Sequence, residues 1–358
     1  MRPFVLALFL SAALHAQFTL QQSNSTASLR GIANVDGTVA WASGTAGTVL
    51  KTLDGGAHWQ TCAVPAGADK LDFRGIQAFD AKSALVMSIG KGDASRVYRT
   101  DDGCKTWSLV FTNPDTPDGF FDAIYFTKRN EGWLLGDPVK GRFYLAATHD
   151  GGRSWKQVVS AGLVASGEGG AFAASNQSVV VAPGGPIFGG GSGLLFRGTW
   201  ERCPDSTQYN DPDSCTLHIQ FQRSMLPVGA MTASSGIFAL SRTATAIVAV
   251  GGDYTHPTDA AKIAAYSTND GATWAAAETQ PQGYRSSVAY DAATKTWITT
   301  GPTGTNISRD NGRNWNPLLP LGKDAPDADK NWNALSLPFV VGPKGRIGKL
   351  RPDALNTR

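Results

Sequence analysis

The chain has 358 residues, 42% of them hydrophobic and 17% charged, a balance that fits a well-packed globular protein and excludes a disordered one. Its formal net charge of +3 is carried without any run of five Lys or Arg, so nucleic-acid binding has no electrostatic footprint. The unusual features are 41 glycines and 10 tryptophans, many turns with large aromatic anchors, which is how an all-β chain reads.

The first residues, Met1-Arg2-Pro3, lead into an apolar run from Phe4 to Leu14 and then His15-Ala16-Gln17. A basic start, a short apolar stretch and a small residue at the cut point make residues 1–16 a secretory signal peptide cleaved near Ala16. The run is too short to span a bilayer, and no later stretch approaches that length. The mature chain is therefore expected in the periplasm or outside the cell, where disulfides are permitted. Cys203 and Cys215 flank a polar loop, Pro204 to Ser214, and are read as the pair, while Cys62 and Cys104, in successive repeats, are left as thiols. There is no CxxC and no histidine cluster, so no metal site is expected.

An internal repeat organises the chain. Thr52-Leu53-Asp54-Gly55-Gly56-Ala57-His58-Trp59 recurs as Thr100 to Trp107 around Asp102, and as Thr148 to Trp155 around Asp150. It returns as Ser267 to Trp274 around Asn269 and as Ser308 to Trp315 around Asp310. The shared form, [S/T]-x-[D/N]-x-G-x-x-W with Cys104 at one glycine position, is the Asp-box motif. Its carboxylate can accept backbone N–H groups in a hairpin turn, its glycine supplies an angle other residues resist, and its tryptophan buries a ring between sheets. Asp54, Asp102, Asp150, Asn269, Asp310 and the tryptophans Trp59, Trp107, Trp155, Trp274 and Trp315 are accordingly structural rather than catalytic.

The tryptophans are 48, 48 and, for the last two, 41 residues apart, the length of one four-stranded propeller blade, and the 119-residue gap from Trp155 to Trp274 leaves room for a boxless blade with an insertion. Second strands ending in a glycine turn precede the boxes or their equivalents, as at Ala40 to Gly44, Gly132 to Gly136, Val248 to Gly251, Trp297 to Gly301 and Phe339 to Gly342. First strands begin near Arg30, Arg74, Asp122, Gly170, Gly236, Arg285 and Asn333, which predicts a seven-bladed β-propeller over residues 17–350 with a short tail at 351–358. The last blade lacks a box and a fourth strand, and Phe18 to Gln22 is expected to supply it, which removes an exposed edge. The Gly-rich stretch Gly184 to Gly193 follows a strand but opens no helix, so it is not read as a phosphate loop.

Leu29-Arg30-Gly31-Ile32, Phe73-Arg74-Gly75-Ile76, the boxes, Gly136-Asp137-Pro138, Gly167-Glu168-Gly169-Gly170, Gly251-Gly252-Asp253-Tyr254, Gly283-Tyr284-Arg285-Ser286 and Val341 to Ile347 resemble bacterial secreted proteins of the photosystem II stability/assembly factor-like family. The resemblance covers nearly the whole mature chain and implies seven blades. Plant and cyanobacterial relatives are assembly factors that bind a photosystem subunit, whereas bacterial members are often labelled oxidoreductases or glycosyl hydrolases. The stretch Trp200 to Val228, with its reduced box and cysteine-bracketed loop, departs from the pattern.

In a propeller the first strands line the central channel, and their starts share a face with the turns between second and third strands. This places Arg30, Arg74 and Arg285 at equivalent starts, Asp122 at another, Glu168 before a fourth, Asp137, Asp253 and Tyr254 in the turns, and Tyr284 beside Arg285. The arginines either pair with neighbouring carboxylates or form a face for a carboxylate, phosphate or acidic peptide. A sialidase-like glycoside hydrolase using Asp137, Glu168 or Asp253 is the alternative, although the Arg-Ile-Pro motif of sialidases is absent. No nucleotide fingerprint or redox-metal cluster is present, so no cofactor is expected. The reading is an exported, monomeric binding or assembly scaffold that engages a protein partner or an anionic or glycan ligand at its funnel.

Overall fold

The repeated turn dictates where strands end. In the first copy the Thr52 hydroxyl accepts the Gly56 N–H at 2.9 Å and donates to Asp54 Oδ1 at 2.9 Å, and that oxygen accepts the His58 N–H at 2.9 Å. The same hydroxyl-to-side-chain bond recurs at Thr100–Asp102, Thr148–Asp150, Ser267–Asn269 and Ser308–Asp310. The fifth position is left-handed in every copy, with φ of 91° at Gly56, 81° at Gly152, 77° at Gly271, 83° at Gly312 and 68° at Cys104. Two backbone N–H groups that a strand end would leave open are thus satisfied within the turn. The closing tryptophans Trp59, Trp155 and Trp315 are buried, and Trp107 and Trp274 half-buried.

The computed structural model describes residues 17–165, 169–201, 219–320 and 324–355. The segment 1–16, Glu168, Cys203 and Cys215 lie outside them. The described residues form seven four-stranded antiparallel sheets. The inner strands are Leu29–Asn34, Asp72–Ala78, Phe121–Phe126, Val179–Ala182, Ser235–Arg242, Ser287–Asp291 and Ala334–Ser336. Each touches the next, and the seventh touches the first, so the chain is a seven-bladed β-propeller. The strand Phe18–Gln21 pairs antiparallel with Ile347–Leu350, Phe18 opposite Leu350, and is the outermost strand of the seventh blade. The Trp59 indole donates to Gln21 Oε1 at 3.0 Å and ties the first blade to it.

Apolar layers lie between neighbouring blades. Trp41 of the first, fully buried, packs with Phe73, Ile76 and Tyr98 of the second. The same interface corrects the expectation for the cysteines: Cys62 and Cys104 are disulfide-bonded, with Cα atoms 5.3 Å apart. Cys62 follows the outer strand Gln60–Thr61 of the first blade, and Cys104 sits in the box turn of the second, where the Ala63 N–H donates to its carbonyl at 3.2 Å. Blade-to-blade adjacency joins them, which spacing along the chain does not reveal.

The fourth blade also differs from expectation. Its inner strand begins at Val179 rather than near Gly170, and the residues before it cross the axis as an irregular segment. Ala173 accepts the Arg74 guanidinium, and Asn176 accepts the Ile124 N–H at 2.7 Å and donates to the Ile76 carbonyl at 3.2 Å. Gln177 accepts the Val288 N–H at 2.9 Å and donates to the Leu335 carbonyl at 3.0 Å, while its own carbonyl accepts the Leu240 N–H at 2.8 Å. This segment plugs the channel by satisfying inner-strand backbone groups of five other blades.

Two outcomes test this construction. The paired substitution Cys62→Ala with Cys104→Ala should cost about 2–4 kcal/mol, as expected for opening a loop of that length, read as a lowered denaturation midpoint. Asp310→Ala should cost about 1–2 kcal/mol, whereas Asp310→Asn should cost much less, because Asn269 already makes the same turn in the fifth blade. Equal losses for the two would show that the charge, not the turn bonds, matters.

Candidate ligand site in the central funnel

Strand register decides which side chains reach the axis. In the first blade Leu29 lies opposite Gly44 and Gly31 opposite Ser43, so Arg30 is an extra, unpaired residue. The same shift leaves out Arg74 between Phe73 and Gly75, Asp122 between Phe121 and Ala123, and Phe238 between Ile237 and Ala239. Asp137 is skipped in the second strand of the third blade. A bulge of this kind re-aims one side chain without disturbing the strand beyond it. Among the described residues six such shifts occur, and five of the displaced side chains line one cavity.

That cavity has a volume of about 540 Å³, in the range of small-ligand sites. Its wall changes character around the ring. Arg30 and Arg74 come from the first two blades, Asp122 and Asp137 from the third, and Phe172, Phe238 and Tyr284 from the next three, with Tyr254 exposed above them. Ser286 and Asn333 complete the circuit, and Ala171, Ala173 and Ala174 of the plug line it as well. Phe172 stacks on Phe238 with centroids 3.7 Å apart, and Tyr284 meets Phe238 edge-on at 4.7 Å.

The two arginines differ. Arg74 donates to Asp72 Oδ2 at 3.0 Å and to the Ala173 carbonyl at 2.9 Å. Arg30 has no hydrogen-bond or ion-pair partner among the described residues, and its Nε is buried without an acceptor. Burial, with Arg74 beside it, lowers the Arg30 pKa from its ordinary value, against the opposing pull of Asp72 and Tyr284. Burial likewise raises the Tyr284 hydroxyl.

The carboxyls behave as a pair. Asp122 is buried, and neither of its oxygens accepts a hydrogen bond from a described donor. Burial and the neighbouring Asp137 charge raise it well above the ordinary carboxylate value, with Arg74 opposing. Asp137 is raised by burial and held down by the Ala171 N–H, which donates to Oδ1 at 2.9 Å, and by Asp122. Burial and a like charge beside it both favour the protonated form of Asp122. Gly170 makes room for this: a Cβ there would stand 1.7 Å from Asp137 Oδ1.

The structure thus brings together Arg30, Arg74, Asp122, Asp137, Tyr254 and Tyr284. It does not bring Arg285. Its backbone N–H donates to Gly251 at 2.9 Å, just as Leu29 donates to Gly342 at 3.0 Å and Ile237 to Gly190 at 3.1 Å. Arg285 is therefore equivalent to Leu29, one residue before the position that faces the funnel, and a one-residue slip sends a side chain to the other face of a sheet. Its buried guanidinium donates to Thr303 Oγ1 at 2.7 Å, Asn306 Oδ1, and the carbonyls of Gln282, Gly283 and Tyr284, and burial lowers its pKa to about 10. Ser286 takes the funnel position instead. Asp253 stands outside the cavity wall, where it holds its own turn by accepting the Thr255 N–H at 2.9 Å and contacting His256. Phe172, Phe238 and Ser286 escaped sequence reasoning because apolar and small residues at strand starts carry no chemical signal, while Asn333, expected at a strand start, lines the wall as well. Counting from the glycine that ends each second strand would have found Phe238.

The arrangement defines a propeller with a polar, aromatic-walled funnel. No protein-family model matches the chain, and no curated protein does. Among solved structures it is similar to YCF48 bound to D1 peptide, with a TM-score of 0.62 at 15% identity over 95% of this chain and 98% of that one. YCF48 from Cyanidioschyzon merolae gives 0.61 at 19% identity over 94% and 100%. An ancestral GH74 enzyme gives 0.53 at 13% over 84% of this chain and 40% of the enzyme. At these identities the likeness is one of fold.

The carboxyl pair sets a pH dependence. A group protonated in the folded state above its unfolded value of 3.8 stabilises the fold at low pH and loses that contribution as pH rises toward the folded pKa. Asp122→Asn should therefore become more stable relative to the parent as pH is raised from 4 toward neutrality, measured as the difference in denaturation midpoint across about three pH units. A difference that does not change with pH would show that Asp122 ionises normally.

Proposed function

We propose that this chain is an exported binding or assembly scaffold whose central funnel grips an anionic group of a partner, a peptide carboxylate being the group that suits it best. The observation that carries the reading is Arg30. It is half-buried, stands in the cavity beside Arg74, and has no acceptor among the described residues. A desolvated guanidinium without a counter-group is costly, and an incoming carboxylate removes that cost through charge-assisted, bidentate hydrogen bonds. The aromatic wall offers the apolar surface that a peptide side chain would cover. A similar propeller, YCF48, has been solved with a D1 peptide, which is consistent with a peptide ligand here. The leader-like residues 1–16 support export.

The glycoside-hydrolase reading draws on the GH74 likeness in fold, but the carboxyl geometry weighs against it. Hydrolytic carboxyl pairs stand about 5–9.5 Å apart to admit a sugar or a water between them. Asp122 is fully buried beside Asp137, and Asp253 belongs to another turn outside the cavity wall.

Titration with phosphate, acetate and a short acidic peptide, followed by calorimetry, tests the reading. Arg30→Ala should weaken binding by about 10- to 100-fold, the scale of a lost charged hydrogen bond, without lowering the melting temperature. Arg285→Ala should do the reverse, destabilising the fold by about 3 kcal/mol through its orphaned acceptors while leaving the affinity of the folded protein unchanged. Affinity unaltered by Arg30→Ala would remove the basis for the reading.

A further inference from the structure

The third blade presents the funnel with an acidic group that neither arginine neutralises. Arg74 spends its guanidinium on Asp72 and the Ala173 carbonyl, and no Lys, Arg or His among the described residues forms an ion pair with Asp122 or Asp137. Asp137 keeps part of its surface open to the cavity, while Asp122 is sealed with both oxygens lacking a donor. This is not an incidental acidic patch. Two bulges aim the carboxyls at the same cavity, and Gly170 gives up a side chain so that Asp137 can be seated against the Ala171 N–H. Phe172, Phe238 and Tyr254 line the same cavity, and aromatic faces favour a cation brought close to them.

Counting charges sharpens the point. Arg30 and Arg74 contribute two positive charges to the wall; Asp72, outside the lining, pairs with Arg74, and Asp137, beside the buried Asp122, carries the second negative charge. A simple anion at Arg30 would leave this desolvated cavity with an unbalanced negative charge, whereas a ligand carrying both signs would leave it neutral.

We propose that Asp137, seated by Gly170 and backed by Asp122, is a cation subsite that takes the ammonium nitrogen of the same ligand whose anionic group meets Arg30, so that the funnel selects a zwitterionic ligand. The inference rests on the anion-binding reading of Arg30. Asp137 is the contacting residue. Asp122 is a positioning residue, a buried carboxyl behind Asp137 whose environment favours its protonated form and leaves Asp137 as the acceptor for the ammonium group. A cavity of about 540 Å³ suits a ligand portion the size of an amino acid or a short peptide end.

The test uses ω-aminoalkanoates of four to eight carbons, set against the alkanoates and alkylamines of the same lengths, with the full mature chain and calorimetry at neutral pH. At one chain length the amino acid should bind about 10-fold or more tightly than its matched alkanoate, the worth of one charge-assisted hydrogen bond. Asp137→Asn should abolish that advantage of the amino acid over its matched alkanoate, and Arg30→Ala should weaken both ligands. Equal binding of amino acid and alkanoate at every length in the parent protein overturns the cation subsite and leaves the anion reading standing. So does an advantage that survives Asp137→Asn. Failure of alkanoates and amino acids alike to bind overturns both. The comparison within the parent protein decides the matter even if Asp137→Asn does not fold.

Discussion

The register between each inner strand and its neighbour governs this molecule more than any single contact does. Where Leu29 faces Gly44, Phe121 faces Gly136 and Ile237 faces Gly251, the residue that follows is squeezed out of the ladder toward the axis. In these three blades a glycine stands at the facing position, where the chain turns back closely, whereas in the second blade Ser88 faces Phe73 and Arg74 is displaced all the same. A Cβ on Gly136 would lie 2.5 Å from the Phe120 carbonyl, and one on Gly251 would lie 1.8 Å from that of Gly236. The bulge itself, rather than the glycine opposite it, is the device that lines the funnel.

The other half of the construction is the plug. Seven inner strands converging on an axis leave backbone donors and acceptors that no neighbouring strand can reach, and burying them unpaired would be costly. Asn176 and Gln177 supply the missing partners with short amide side chains, and Asn176 takes a left-handed backbone, φ 65°, to do so. The plug also carries Ala171, whose N–H orients Asp137, and Phe172, which stacks on Phe238. Floor and site are therefore one piece of chain, so changes in the plug should be felt as changes in the funnel.

Electrostatically, the funnel separates its charges by blade rather than mixing them. Arg30 is left without an acceptor although Asp122 and Asp137 line the same cavity, and Asp72 is taken by Arg74. Arg285 shows the contrasting solution. The same residue type, displaced by one position, is satisfied by five groups of its own blade and serves only the fold.

The sequence alone determined the blade number, the pairing of Phe18–Gln21 with the last blade and the position of each box turn. These rest on local chemistry that repeats: a hydroxyl, an Asx side chain and a left-handed fifth residue within eight positions. It also placed Arg30, Arg74, Asp122, Asp137, Tyr254 and Tyr284 near the axis, because strand starts and strand-to-strand turns share one face of a propeller. Tertiary structure decided the rest. The partnership of Cys62 with Cys104 depends on which blades touch. The exclusion of Arg285 and Asp253 depends on a single step of register and on a local turn, neither of which changes composition or spacing. The raised proton affinity of Asp122 and Asp137 depends on their burial side by side on two strands. The plug was invisible because Gly170 to Ser178 reads like any other strand start. What it does is set by backbone groups on five other blades, which exist as unmet partners only once the ring has closed.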